Sequence, residues 1–590
     1  MPQSLPQTWD MDAIFPGGSE SKEFGAFLAS LQGDIEQFGV HIRETKELSI
    51  DSLSAVVSKL QSIGSRLKES YAFAECLAAQ NQKDKKAVAL SGKVRVLAAE
   101  YESHLTRFDQ LIKSVPEEQW NAYMAHEAFA PIAFPLTEAR RRALEKMPPE
   151  MESLLGDVAV DGYHGWSELY DTTVALLKVP YEEDGKTVQL SAGQAFNKLH
   201  HPSRDVREKV FADWEEAWAG SADFAAAALN HLGGFRLQVY KHRGWDSIHK
   251  EPLDMNRMSP ETLHAMWDTI DRNKEPLLDY FRKKAELLGI EKLAWHDVDA
   301  PVGNSSSKLS YDEGAELIIE QFRGFGPKLA EFAEMAFRER WIEAEDRDDK
   351  RPGGFCTSFP IKKQTRIFMT YEGTMNNVST LAHELGHAFH QYVMDDMPEL
   401  AQNYASNVAE TASTFAEMVV SDAAIRAAKT RDEKLALLDD KIQRTVAFMM
   451  NIHARFIFET NFYEERKQGS VSIERLNELM VDAQRNAYRD GLQSYHPHFW
   501  ASKLHFYITD VPFYNFPYTF GFLFSSGIYA RAASEGKGFE EKYIALLRDT
   551  GSMTVEELAN KHLGVDLTKP DFWQASIDML KKDIEAFIAL

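Results

Sequence analysis

Five consecutive residues, His383-Glu384-Leu385-Gly386-His387, carry the strongest chemical signal in this chain. On a helix, positions i and i+4 share a face, so the two imidazoles can hold one metal ion between them. Two neutral histidines suit Zn²⁺, and a carboxylate one residue along can reach a water on that ion. A zinc-bound water with Glu384 as its general base is the apparatus of a metallohydrolase. Around these residues, Leu381, Ala382, Leu385, Ala388, Phe389 and Tyr392 recur at helical spacing and predict a helix packed into a core. Polar groups buried on such a helix need a partner, and a metal supplies one.

A hydrolytic zinc takes a third protein ligand and keeps one position open. The extended pattern H-E-x-x-H-x-x-G-x-x-H would supply a third histidine, but here His390 stands where the glycine belongs and Val393 where the last histidine belongs. The remaining source is a later carboxylate: Glu399, Glu410 or Glu417. Glu399 follows Pro398 in what reads as a turn. Glu410 and Glu417 lie two helical turns apart, on one face of residues 407–417. Glu410 is the expected third ligand, and Glu417 and His390 are the groups expected to orient a ligand imidazole.

The elements that must position these groups are mainly helical, and the fold class read from the sequence is mainly α. Ser259-Pro260-Glu261 reads as a helix start, Thr554-Val555-Glu556-Glu557 as a capping box, and residues 435–465 as one long helix. Residues 180–186 read as a turn, with strand-like residues 187–190 after it and helix again from about Ser203. A boundary is expected there, dividing residues 1–197, an N-terminal helical domain, from residues 198–590, which hold the H-E-x-x-H motif. The charge run 343–350 reads as a solvated loop. Residues 365–371 read as a short strand just before the metal helix, suited to pairing with an extended peptide.

Composition narrows the function classes. The chain has 590 residues, 44% of them hydrophobic and 26% charged, values ordinary for a globular protein. A net charge of −24 argues against nucleic acid and anionic membrane surfaces as partners. Two cysteines, Cys76 and Cys356, exclude a disulfide framework and fit a reducing cytoplasm. The opening residues have neither a basic nor an apolar leader region, and no apolar run reaches membrane-spanning length, so a cytoplasmic location is expected.

A distal segment is rich in aromatics: His505-Phe506-Tyr507, then Phe513-Tyr514-Asn515-Phe516-Pro517-Tyr518. A histidine N–H or tyrosine O–H can stabilise the oxyanion that forms when a peptide carbonyl is attacked.

Together these residues resemble peptidase family M3, and within it the oligoendopeptidase F group. The likeness runs in order along the chain: Trp9-Asp10 and Ile14-Phe15-Pro16, residues 199–209, Gly373-Thr374 with residues 380–390, residues 409–415, and the segment from His505 to Tyr518. The resemblance implies an elongated multi-helix body with a deep substrate channel, one wall of it from residues 1–197, and a small β element beside the zinc helix. It implies one zinc ion per chain held by His383, His387 and Glu410, with Glu384 as general base. His505 and Tyr514 or Tyr518 become the transition-state donors, and the substrates become short oligopeptides cut at internal bonds. Many relatives carry Asp six residues before the first zinc histidine, where this chain has Asn377. The competing readings are a metallocarboxypeptidase or dipeptidyl carboxypeptidase, with Arg366 or Lys503 receiving the substrate carboxylate, and a peptide-binding scaffold with structural zinc.

Overall fold

The protein is described by a computed structural model covering residues 4–183, 185–303, 308–536 and 538–590. Residues 1–3 and Asp184 of the expected turn lie outside the described residues. Helices dominate, in line with the mainly α expectation. Five short strands are described among them: β1 (Lys178–Glu183), β2 (Lys186–Ser191), β3 (Ile342–Glu343), β4 (Phe355–Phe359) and β5 (Gln364–Phe368). Among the described residues no helix is long and apolar enough to cross a membrane.

The chain forms two compact units. The first comprises Met1–Glu145, Ser307–Ala424 and Arg531–Gly564. Its N-terminal part is three long helices, α1 (Lys22–Glu44), α2 (Ile50–Gln80) and α3 (Lys85–Ser114). Each starts on a side-chain cap: Ser21 accepts from the Phe24 amide, Ser49 and Ser52 form a reciprocal box, and Asp84 accepts from the Lys86 and Ala87 amides. Leu31, Ile35, Phe38 and Ile42 make a fully buried stripe along α1, facing Leu53, Val56 and Ile63 of α2 in one core. The opening segment joins that core through Trp9, Ile14 and Phe15. The Trp9 ring lies 5.6 Å from Phe368 and 6.5 Å from Phe355, so it braces the β4–β5 hairpin from behind.

In the three-stranded sheet β5 is central, parallel to β3 and antiparallel to β4, with Cys356 opposite Ile367 and Ser358 opposite Thr365. The strand expected at residues 365–371 therefore exists but is not an edge. β4 is one edge of this sheet and the two-residue β3 is the other. The charge run 343–350 also differs from a solvated loop. Glu343 is buried and ion-paired with Arg347 and with Lys350, at 3.3 Å for the latter. Lys350 donates to the Met369 carbonyl at 2.7 Å, which fastens β3 to the chain leaving β5. Burying a carboxylate is costly alone, and these two cations offset that cost.

The second unit comprises Lys146–Ser306, Ile425–Ala530 and Val565–Leu590. It holds the β1–β2 hairpin, the 40-residue helix Arg204–Arg243 and the run from Arg431 to Arg466. That run was expected to be one helix. It is continuous but widens by one π-type turn at Ala447–Asn451.

Candidate active site

The metal helix, Met375–Tyr392, begins at Thr374. The Thr374 hydroxyl accepts from the Asn377 amide at 3.1 Å, and the Asn377 side chain accepts from the amides of Thr374 and Glu372 at 3.2 and 2.9 Å. Asn377 is thus the return half of a capping box, a role that calls for a side-chain acceptor at that position. Val378, Leu381, Ala382, Leu385, Ala388 and Phe389 are almost fully buried along one face. Tyr392 departs from that stripe and is 43% exposed.

On the opposite face His383 and His387 meet with their ring planes nearly perpendicular, centroids 4.9 Å apart. The third group comes from the facing helix, Ser406–Ala427. Glu410 Oε2 lies 3.3 Å from His383 Nε2 and 3.4 Å from His387 Nε2. Ser413 donates to the same oxygen at 2.8 Å. Burial raises the Glu410 pKa, but hydrogen bonds from the two histidines and their positive field outweigh it and hold the carboxyl well below the usual range. The three side chains could hold one metal ion.

Glu417, two turns beyond Glu410, sits with its Oε2 3.3 Å from His383 Nδ1. With Nδ1 held by Glu417, His383 turns its Nε2 toward Glu410. His390 does something else. It is fully buried, its Nε2 bonds the Leu547 carbonyl and the Thr550 hydroxyl at 3.2 and 2.9 Å, and its ring stacks on Tyr404 at 4.2 Å. Burial lowers its pKa to about 3, so it is neutral and anchors the helix end. Glu399 pairs with Lys68 at 2.7 Å and is absent from the His383, His387 and Glu410 group.

Glu384 is 7% exposed, and its Oε2 has no hydrogen-bond partner. Burial raises its pKa, against the lowering fields of His387 and His383. A buried carboxylate oxygen without a partner, beside three groups that could hold a metal ion, is suited to a water. The space in front is a 480 Å³ cavity lined by His383, Glu384, His387 and Glu410 on one side and by Gly354, Cys356 and Ser358 on the other. A Cβ on Gly354 would sit 3.6 Å from Glu384 Oε1, so the chain entering β4 runs directly past that carboxylate. The Cys356 thiol is pushed well up by burial and stays protonated, which leaves it no nucleophilic role.

His505, Tyr514 and Tyr518 belong to the second unit and lie together there. The His505 and Tyr514 rings are 5.1 Å apart, and Tyr518 donates to the Tyr514 oxygen at 3.1 Å. Burial, then the fields of Arg455 and Lys503, lower the His505 pKa to about 4, so the ring is neutral and its Nδ1 has no partner. Arg366, a candidate carboxylate receptor, is fully buried and spends its guanidinium on the carbonyls of Thr365 and Asp10. Lys503 lies over the rings of Phe196 and Phe499, and burial brings its pKa down to about 7. Sequence reading did not anticipate Ser413, the role of Asn377 or the edge position of β4. The signals present were the Thr374-x-x-Asn377 spacing and the alternation of Phe355, Thr357 and Phe359.

Comparison with known proteins gives the class. The sequence model of peptidase family M3 matches residues 198–579, more than half of the chain, and that of the oligopeptidase F N-terminal region matches residues 112–178. The chain belongs to peptidase family M3 and is a metallopeptidase. It is 22% identical over 595 residues to an oligoendopeptidase F homolog of Lactococcus lactis subsp. lactis (strain IL1403), covering 97% of this chain and 95% of that protein. It is 21% identical over 593 residues to oligopeptidase PepF of Bacillus subtilis (strain 168), covering 98% and 86%. In fold it is similar to a peptidase structure from Chlamydophila abortus, with a TM-score of 0.86, 19% identity and coverage of 100% and 99%. The oligoendopeptidase-F of Enterococcus faecium gives a TM-score of 0.71 with 19% identity, covering 96% and 98%.

Proposed function

We propose that the chain is a zinc-dependent endopeptidase that hydrolyses internal bonds of oligopeptides, with one zinc ion per chain held by His383, His387 and Glu410. The observation that carries the reading is the convergence of two imidazole nitrogens on one Glu410 oxygen at 3.3 and 3.4 Å. Ligands about 2.0–2.1 Å from a tetrahedral ion lie roughly 3.3 Å from one another, so this donor set fits zinc in both chemistry and spacing. Bound there, the ion would acidify a water and polarise the scissile carbonyl. Glu384 takes the proton of the attacking water through its unpartnered Oε2 and returns it to the leaving amine. Glu417 keeps His383 in the ligating tautomer.

The free edge of β4 offers backbone groups to an extended peptide beside Glu384. His505 and one of Tyr514 and Tyr518 are assigned the oxyanion donors. Tyr518 already spends its proton on the Tyr514 oxygen, which favours Tyr514. The relatives named as oligopeptidases support short peptides as substrates. Burial of Arg366 removes one receptor a carboxypeptidase would need. We keep 197/198 as a division of the sequence, supported by the start of the family match at residue 198, although it falls inside the compact unit that holds Lys146–Ser306; a cytoplasmic location is supported by two free thiols.

The test is a peptide length ladder digested with zinc-loaded protein, with and without chelator, products identified by mass. Chelator-sensitive internal cleavage that persists when the peptide C-terminus is amidated is expected. Stepwise release from a free C-terminus only would overturn the endopeptidase assignment.

A further inference from the structure

Strand β4 borders a second cavity of 460 Å³ as well as the metal cleft. Thr357 and Ser358 line both cavities, whereas Gly354, next to Glu384, lines the cleft alone. From Gly354 to Thr357 or Ser358 is three or four residues, roughly 10–13 Å at a strand rise of about 3.3 Å per residue. A peptide paired along the edge would therefore carry a side chain to the second cavity at about that distance from the bond being cut.

The walls say what that side chain is. Leu60 and Leu67 of α2, Ala98 and Leu105 of α3, and the rings of Tyr71 and Tyr101 enclose the space. The Tyr101 hydroxyl is spent on the Leu60 carbonyl at 3.0 Å, leaving the ring as the surface offered. Tyr71 is 50% exposed, an aromatic ring with half its area open to a partner. The charged groups at the wall largely cancel: Lys68 is 2.7 Å from Glu399 and also donates to Asn403 at 2.6 Å, and Glu102 is out at the exposed rim. A charged side chain would find no unpaired partner deep in this space, while an apolar one would find matched surface.

We propose that this cavity is a substrate subsite taking a bulky apolar side chain three or four residues from the scissile bond. The inference rests on the endopeptidase reading and on peptide pairing along β4.

Zinc-loaded full-length protein is given peptides with one fixed cleavable bond in an Ala/Ser background, one Phe or Leu being moved along either side. A peak in kcat/KM of about tenfold is expected with the bulky residue three or four positions from the bond. Ala98→Trp, which fills the cavity, brings the ratio of bulky to all-small peptide toward one. Tyr71→Ala, at an exposed site that does not threaten folding, lowers the ratio of Phe to Leu. A flat series with normal cleavage, a peak for a charged residue at that place, or an unchanged ratio in folded Ala98→Trp would each overturn the subsite and leave the endopeptidase intact. Absence of any internal cleavage by the wild type would overturn both.

Discussion

A Cβ placed on Gly386 would stand 2.6 Å from the Cα of Ser413. The middle of the H-E-x-x-H motif is thus where two helices touch backbone to backbone, its Cβ position also pressed against the Ala412 carbonyl. That approach brings Glu410 to the two histidines. Gly386→Ala must push the helices apart by a few tenths of an ångström or more, since backbone cannot rotate away as a side chain can. The expected outcome is a zinc affinity at least tenfold lower and a reduced Tm, read by metal titration and thermal unfolding. Wild-type affinity in the variant would show that the close approach does not position the site.

Glu384→Gln keeps shape and burial but loses the base. Zinc content stays stoichiometric while kcat falls by roughly 10²–10⁴, the range for a lost general base. Metal analysis and single-peptide kinetics check this together, and substantial turnover in metal-replete protein would remove Glu384 from the base role.

The three carboxylates separate by metal content. Glu410→Ala abolishes stoichiometric zinc. Glu417→Ala weakens it by about 10–100-fold, the usual effect of losing a group that orients a ligand imidazole. Glu399→Ala leaves it unchanged, because that side chain pairs with Lys68. Equilibrium competition with a chromogenic chelator ranks the three, and any other order contradicts the ligand assignment.

Tyr514→Phe is expected to lower kcat more than Tyr518→Phe, by about 10²-fold or more for a lost oxyanion donor. Tyr518 donates to Tyr514, so its loss removes an orienting bond rather than the donor. Equal and small effects on kcat, at unchanged zinc content, would take both hydroxyls out of the reaction.

Glu69 gives the protein a pH-dependent stability. It is fully buried on α2, accepts from the Ile361 amide at 2.9 Å in the β4–β5 turn, and its pKa is raised by burial to about 7. The folded state keeps this proton where the unfolded chain, near 4.5, has lost it. Its stabilising contribution is therefore complete below about pH 4.5 and is lost as pH rises to about 7, amounting to about 3 kcal/mol at most. Glu69→Gln removes the dependence. Urea midpoints of both proteins at pH 5 and pH 8 test it: the wild type loses more than the variant between the two, and parallel losses would contradict the assignment.

The two histidines, the base and Glu410 were readable because the spacings that join them are helical and local. The capping role of Asn377 was equally local, a side chain three residues past Thr374. Strand order was not readable. Residues 355–359 and 364–368 both suit a strand, and only pairing with β3, some twenty residues upstream, makes β5 central. The 343–350 run looked solvated because composition does not reveal that Glu343 is enclosed by Arg347 and Lys350. His390 looked like part of the metal site because it sits one turn after His387, but its partners are Leu547 and Thr550.

That anchoring bond sets a schedule for synthesis. His390 precedes Leu547 by 157 residues, and at about 5–20 residues per second the ribosome needs roughly 8–30 s to cover them. During that interval the motif helix has emerged while its C-terminal tether has not. A nascent chain therefore spends those seconds with the His390 end of that helix unfastened.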